Sequence, residues 1–494
     1  MSNIKKLKIA IIGSGFSGLS AAAILANSGH EVTVFEKNKE LGGRARQFKE
    51  KGYTFDMGPS WYWMADIFDK FFEQFDKKTK DYYTIIQLDP GFKIIFQKQK
   101  ELSLPCNWSD ICNTFEKIEN GSSIKLNEFM KEAGHKYSVA MTSLVYNPGL
   151  SITEVLNMNV VSNIFKLDLL SSYRKHVKKY FNHPELIALL EFPVLFLGTA
   201  PENTPAMYSL MAYSGIKKGT FYPMGGFGSV IEGFVKLNKE LGVKFHSNEE
   251  VIKLNVEENK IKTISTNKST YNFEIVVGSA DYNHIDSKLI DKKYSNYNKA
   301  YWEKKTFSPS CLLFYLGVDK KINKLDHHNL FFDEDINNHI DDIYNTKIWP
   351  KRPLFYTCCP SKTDSSVAPK GKENLFVLMP IPAGVKDNDE TREKYFKILI
   401  TRLEKYTGEP IKQNIEYKRS YCVNDFIEDY HAYKGNAYGL ANTLNQTANL
   451  KPKIINRKIK NLYYTGQLTV PGPGVPPSII SGQVVAEYIN KINR

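Results

Sequence analysis

The chain has 494 residues, 42% hydrophobic and 24% charged, a globular composition that excludes a disordered or low-complexity protein and suits two or three domains. Its net charge of +13 favours an anionic partner: a lipid surface, nucleic acid or an acidic cofactor. Six cysteines with no C-x-x-C exclude a disulfide scaffold.

Lys5, Lys6 and Lys8 border an apolar run that ends at Ile12, too short for a signal peptide, and no run of about 18 apolar residues follows, so no spanning helix is expected. Lys8 to Ile12 reads as a buried parallel strand, Leu19 to Asn27 as a helix closed by Gly29, and Glu31 to Phe35 as a second strand ending at Glu36. Between the first strand and the helix lies a G-x-G-x-x-G, Gly13-Ser14-Gly15-Phe16-Ser17-Gly18. Gly13 permits the tight turn, Gly15 lets backbone approach a pyrophosphate, and Gly18 lets helix and strand pack closely. Free N–H groups at the helix start attract phosphate, and Glu36 can accept from ribose hydroxyls. Leu41-Gly42-Gly43-Arg44 follows, offering Arg44 as a charged pyrophosphate donor, then Gly52 to Pro59 with Gly58.

Phe68, Phe71, Phe72 and Phe75 recur at helical spacing and are expected in the core. Residues 151–182 carry Lys166, Arg174, Lys175, Lys178 and Lys179, with Val161, Ile164, Phe165, Leu169, Tyr173, Val177 and Tyr180 at helical spacing. That is a basic amphipathic helix, either a surface helix or one lying in a membrane interface. Gly225-Gly226 precedes a predicted helix, Ser229 to Leu241, and then a strand, Val243 to His246. Ile275 to Asp281 reads as another buried strand. The His327-His328 pair lacks regular ligand spacing with the cysteines, so no metal is expected. Asn461 to Gly466 reads as a short strand entering a glycine turn, and the Pro/Gly-rich stretch to Pro477 leads to a helix opened by Ser478. No zinc-finger, RNP-like or helix-turn-helix pattern accompanies the positive charge, so nucleic acid is set aside.

The pairing of G-x-G-x-x-G with Gly42-Gly43-Arg44 resembles the flavin-dependent amine oxidase and carotenoid desaturase superfamily. The C-terminal segment resembles the signature of bacterial-type phytoene desaturases. Asn461, Tyr463, Gly466, Thr469, Pro471, Gly472, Gly474 and Pro476 match, and Gln467, Leu468, Val470 and Pro473 depart from it in a form similar to flavobacterial variants. Leu197 to Pro201, Phe221 to Gly226 and Ser308 to Ser310 also fit, so the resemblance spans most of the chain.

The resemblance implies FAD, held by Gly13, Gly15, Phe16, Ser17, Gly18, Glu36, Lys37, Gly43, Arg44, Gly58, Pro59, Val251, Gly466, Gln467, Gly474, Val475 and Pro476. Val251 would contact adenine through its backbone. The implied fold is α/β: a discontinuous Rossmann-like, amine-oxidase-like FAD domain of residues 1–90, 220–290 and 440–494. A mixed α+β substrate region with a helical membrane-facing part, 91–219 and 291–439, would complete it.

The implied activity is desaturation of phytoene, through partly desaturated carotenoids, to lycopene. A quinone or oxygen would be the electron acceptor, and the protein would sit peripherally on the cytoplasmic side of a membrane or in the cytoplasm. Glu154 aligns loosely with an acid/base position of the family, although a surface acid is the better reading, and Asn157 stands where the pattern has arginine. Alternatives are a desaturase or isomerase of another carotenoid, a flavin amine oxidase, and a non-catalytic flavin-binding scaffold. No cysteine lies in Gly466–Pro477, which argues against the usual covalent flavin link of amine oxidases.

Overall fold

The computed structural model describes residues 5–151, 171–195, 198–443 and 445–493. Five parallel strands form the sheet that carries the glycine loop, in the order Leu462–Tyr464, Ile275–Gly278, Lys8–Ile12 (β1), Glu31–Phe35 (β2) and Lys244–His246. β1 is buried from Ile9 onward because Ile9 and Ile11 pack on the helix that follows it, while Ala10 and Ile12 pack on the antiparallel strands Val251–Glu257 and Lys260–Thr266 on the opposite face.

The helices expected after the glycine loop, after Gly225-Gly226 and at the C-terminal end exist, but the first and last begin three residues earlier than their sequence signals. The first (α1) spans Phe16–Asn27, capped by Gly15, and the last spans Val475–Ile492, capped by Gly474. The reason is shared. A first turn needs no intrahelical N–H partner, so the helix can start directly on the glycine, and Pro476 and Pro477 lose nothing there. These two helices touch backbone to backbone: a Cβ on Gly482 would lie 2.3 Å from Ser17 O, and Ser20 Oγ donates to Ile479 O at 2.8 Å.

A seven-stranded sheet stands beside the first, ordered Ile415–Tyr421, Ser310–Val318, Glu373–Ile381, Phe355–Cys358, His328–Phe332, Phe92–Phe96 and Glu101–Leu104. It is antiparallel except where Phe92–Phe96 pairs with His328–Phe332. Ser310–Val318 is buried at every position. Its alternate residues Leu312, Phe314 and Leu316 pack with Tyr395, Phe396 and Leu399 of the helix Asp389–Thr407, while Cys311 and Leu313 face the other way, into a cavity.

The phenylalanine stripe is core. Phe68, Phe71 and Phe72 sit on the helix Ala65–Glu73 and Phe75 just past it, all buried, with Phe71 stacked on Phe234 at 4.7 Å. Most of the expected amphipathic helix, including Glu154, lies outside the described residues. Its described end is a five-residue helix, Tyr173–Val177. Arg174, expected on a lipid-facing surface, instead pairs with Glu191 at 2.6 Å and with Glu202, while Lys175, Lys178 and Lys179 are exposed. No helix among the described residues is long and apolar enough to cross a membrane.

Candidate active site

One cavity of about 550 Å³ runs from the C-terminal ends of the parallel strands to the face of the seven-stranded sheet. Its first half is lined by backbone. Gly13 takes φ +102° and its missing Cβ would lie 3.1 Å from Ala280 N, so the turn admits no side chain. A Cβ on Gly43 would lie 3.1 Å from Gly15 Cα, and one on Gly58 only 2.5 Å from Arg44 O. The loops are thus held against one another around the start of α1, whose N-terminus faces the cavity as an anion site.

Glu36 also shapes this end. Its Oε2 accepts from Ser14 N and Oγ at 3.0 and 2.6 Å, and its Oε1 from Asn38 N at 2.9 Å. Its own carbonyl accepts from Glu249 N at 2.8 Å, which draws Val251 to the same edge of the cavity. Lys37 lines the cavity but gives its ammonium group to the Glu428 carbonyl.

Arg44 enters from the side. Its Nη2 donates to Asn436 O at 3.3 Å, and its guanidinium lies 5.0 Å over the Tyr430 ring. Gln467, with its amide oxygen turned toward Arg44, accepts from Nη2 and Nη1 at 3.0 and 3.2 Å. Asp281, buried at the end of the strand Ile275–Gly278, accepts from His284 N at 3.1 Å and Tyr433 N at 3.3 Å. Burial pushes its carboxyl up to about 6, against the lowering effect of these N–H groups and of Arg44.

These residues fit an extended dinucleotide. Gly15 has nothing within 4 Å of where a Cβ would stand, so space opens beside the helix start. Arg44 Nε is buried without a partner, and so is the Oδ1 of Asn442 farther along the wall. Of the residues expected to bind the cofactor, Gly13, Gly15, Phe16, Ser17, Glu36, Lys37, Gly43, Arg44, Gly58, Pro59, Val251, Gly466, Gln467, Gly474, Val475 and Pro476 all line the cavity. Gly18 does not. Its Cβ would lie 2.1 Å from Gly13 O, so its place is behind the loop, where it allows α1 to approach the strand. Asp281, Tyr430 and Asn442 were not anticipated. Asp281 carries a usable signal, the C-terminal end of a predicted parallel strand, whereas Tyr430, the last residue of the helix Val423–Tyr430, and Asn442, in an irregular segment, carry none.

The second half is a chamber lined by Trp61, Trp63, Met141, Leu144, Met207, Met211, Leu313, Phe376 and Leu378, reached from the helices and from the seven-stranded sheet. The ionisable groups there are Tyr208, Cys311, Tyr356 and Tyr438, and burial raises the pKa of each, Cys311 to about 12. All four are therefore neutral at pH 7. Charged lining residues gather at the nucleotide end.

Comparison with known proteins identifies the family. Residues 16–490 match the family model "Flavin containing amine oxidoreductase". The chain is 38% identical over 490 residues to a carotenoid 3,4-desaturase of Haloarcula japonica, covering 99% of each. It is 31% identical over 506 residues to a 4,4'-diapophytoene desaturase of Staphylococcus aureus, covering 99% of this chain and all of that one. Among solved structures, the fold is similar to a putrescine oxidase (TM-score 0.63, 13% identity, 99% of each chain). It is also similar to an oxidoreductase of Methanosarcina mazei (TM-score 0.62, 17% identity, covering 97% of this chain and all of that one).

Proposed function

The chain belongs to the flavin-containing amine oxidoreductase family, among its carotenoid desaturases, and from that premise we propose that it desaturates phytoene stepwise to lycopene. It is an FAD-dependent oxidoreductase acting on CH–CH groups. The observation that carries the substrate assignment is the uncharged aromatic and aliphatic chamber continuous with the dinucleotide cradle. A polyene presents no charge or hydrogen-bonding group, so only shape and apolar contact can hold it.

Removing two hydrogens from neighbouring saturated carbons means removing a hydride and a proton. FAD, when bound, supplies the hydride acceptor. Gly13, Gly15, Gly43, Arg44, Glu36 and Gln467 would hold the cofactor. The chamber's own residues then align the substrate chain and exclude water. Glu154 remains a proposed proton acceptor outside the described residues.

A second reading is supported by the 38% identical relative: introduction of a 3,4 double bond into a carotenoid that is already desaturated. Incubating purified protein and FAD with phytoene in liposomes, then separating the pigments, distinguishes the two. Loss of phytoene with formation of red lycopene supports the first. Unchanged phytoene alongside conversion of lycopene overturns it in favour of the second.

We further propose peripheral attachment to the cytoplasmic face of a membrane, with a quinone or oxygen as electron acceptor. The chamber is lined at one end by Met141, Leu144 and Val145, a few residues before the basic segment that begins at residue 151. Reversing Lys175, Lys178 and Lys179 to Glu, while leaving the ion-paired Arg174 intact, should abolish flotation with anionic liposomes. Undiminished flotation would remove this basis for attachment.

A further inference from the structure

The seven-stranded sheet holds a polar cluster that desaturation does not require. His328 opens its strand directly opposite Cys358, so both side chains leave the sheet on the same face. His327, one residue earlier, joins them: one ligating atom from each of the three lies within 4.8 Å of the others, and all three residues are buried. Each imidazole is anchored at Nδ1 by a hydroxyl, His327 by Thr363 Oγ1 at 2.7 Å and His328 by Tyr356 Oη at 2.6 Å. The Nε2 atoms of both are buried without a partner. Two orphaned ring nitrogens within one buried cluster call for an explanation.

A metal-binding histidine has this form: one ring nitrogen fixed by an outer hydrogen bond, the other presenting its lone pair. Burial keeps both rings neutral, the state that binds metal, and holds the Cys358 thiol protonated until a cation displaces its proton to solvent. We propose that His327, His328 and Cys358 bind a zinc ion through two imidazole nitrogens and a thiolate. This donor set matches a borderline-soft divalent cation. A cavity of about 20 Å³ adjoins Cys358 and has room for about one water.

The site reaches the substrate chamber through two contacts. His328 stacks on Trp61 at 4.0 Å and fixes Tyr356, and both of these residues line the chamber. The zinc thus acts as a positioning element for that wall, with no part in electron transfer.

The test is metal analysis of the full-length protein purified without chelators from zinc-supplemented medium, with flavin content measured on the same sample. We expect about one zinc per chain. Thr363→Val, which removes the outer hydrogen bond of His327 and leaves the ligands in place, should weaken zinc binding about 10- to 100-fold with flavin content unchanged. Cobalt substitution of the wild type should give a thiolate-to-metal charge-transfer band that Cys358→Ser lacks. If Cys358→Ser fails to fold, the wild-type cobalt band alone decides. Wild-type protein without stoichiometric zinc and without the cobalt band overturns the proposal, as does zinc retained at full affinity in both variants.

Discussion

At the nucleotide end of the cavity the backbone does the recognising. Gly13, Gly43 and Gly58 stand where a Cβ would meet another loop, and α1 presents its free N–H groups. At the chamber end recognition falls to side chains such as Trp61, Met141, Met211 and Phe376, drawn from a loop, two helices and a strand. The first kind of surface allows almost no substitution and suits one ligand. The second can be reshaped one residue at a time, and so can tell one carotenoid from another while the cofactor stays the same. The fold is correspondingly shared with a putrescine oxidase at 13% identity.

The sharpest way to break this contrast is at Gly18. A valine there would force a Cβ to within 2.1 Å of Gly13 O, a backbone clash costing about 3 kcal/mol or more. The expected result is protein that is insoluble or free of flavin, read from flavin absorbance per chain. A soluble, fully loaded Gly18→Val would refute the close-packing role.

Met211→Trp acts at the opposite end. It should reduce carotenoid turnover about 100-fold by displacing the substrate chain, with flavin stoichiometry unchanged. Loss of flavin in this variant would mean that the two halves are not separable.

Arg44→Met removes the guanidinium beside Gln467 and should weaken FAD binding to the apoprotein about 10- to 100-fold, the equivalent of about 1.5–3 kcal/mol for charged hydrogen bonds. Gly15→Ala sharpens the same point. Its new Cβ enters open space, so the apoprotein should keep its stability while FAD affinity falls about 10-fold. Titration by flavin fluorescence measures both.

The smallest effect concerns stability. Lys451 is buried, its ammonium group has no partner, and burial, with Lys305 nearby, pulls its pKa down to about 7 from an ordinary 10.5. Between those values the unfolded chain binds this proton more readily than the folded one, so stability should rise as pH increases from about 7 to 10.5. Lys451→Met should raise Tm at pH 7 by about 2 °C and flatten that rise. Parallel stability curves for wild type and variant would exclude the effect.

Much of the cofactor end was legible in order along the chain. The strands Lys8–Ile12 and Glu31–Phe35 have the bounds that the sequence predicts, and the glycine loop, Glu36 and the turn at Gly466 all line the cavity. The exceptions are physical. Both cavity-facing helices start on their capping glycine because an unpaired first turn allows it, and Gly18 serves the close packing that its place in the motif predicts, without lining the cavity. Arg174 looked like one of a row of basic residues and turned out to be an internal ion-pair partner, because Glu191 and Glu202 approach it only in the folded chain.

The sequence by itself determined the parts whose chemistry is local: a dinucleotide loop between a buried strand and a helix, an acid at the end of the next strand, and a Pro/Gly turn before the last helix. Each depends on backbone conformation within a few residues, which residue type controls directly. Only the tertiary structure decided what depends on meeting across the chain. Gln467 reaches Arg44, Cys358 comes to rest opposite His328, and the chamber closes between residues as far apart as Trp61 and Ile480. Such contacts are set by sheet register and helix packing, and neither leaves a periodic mark on the residues that make them.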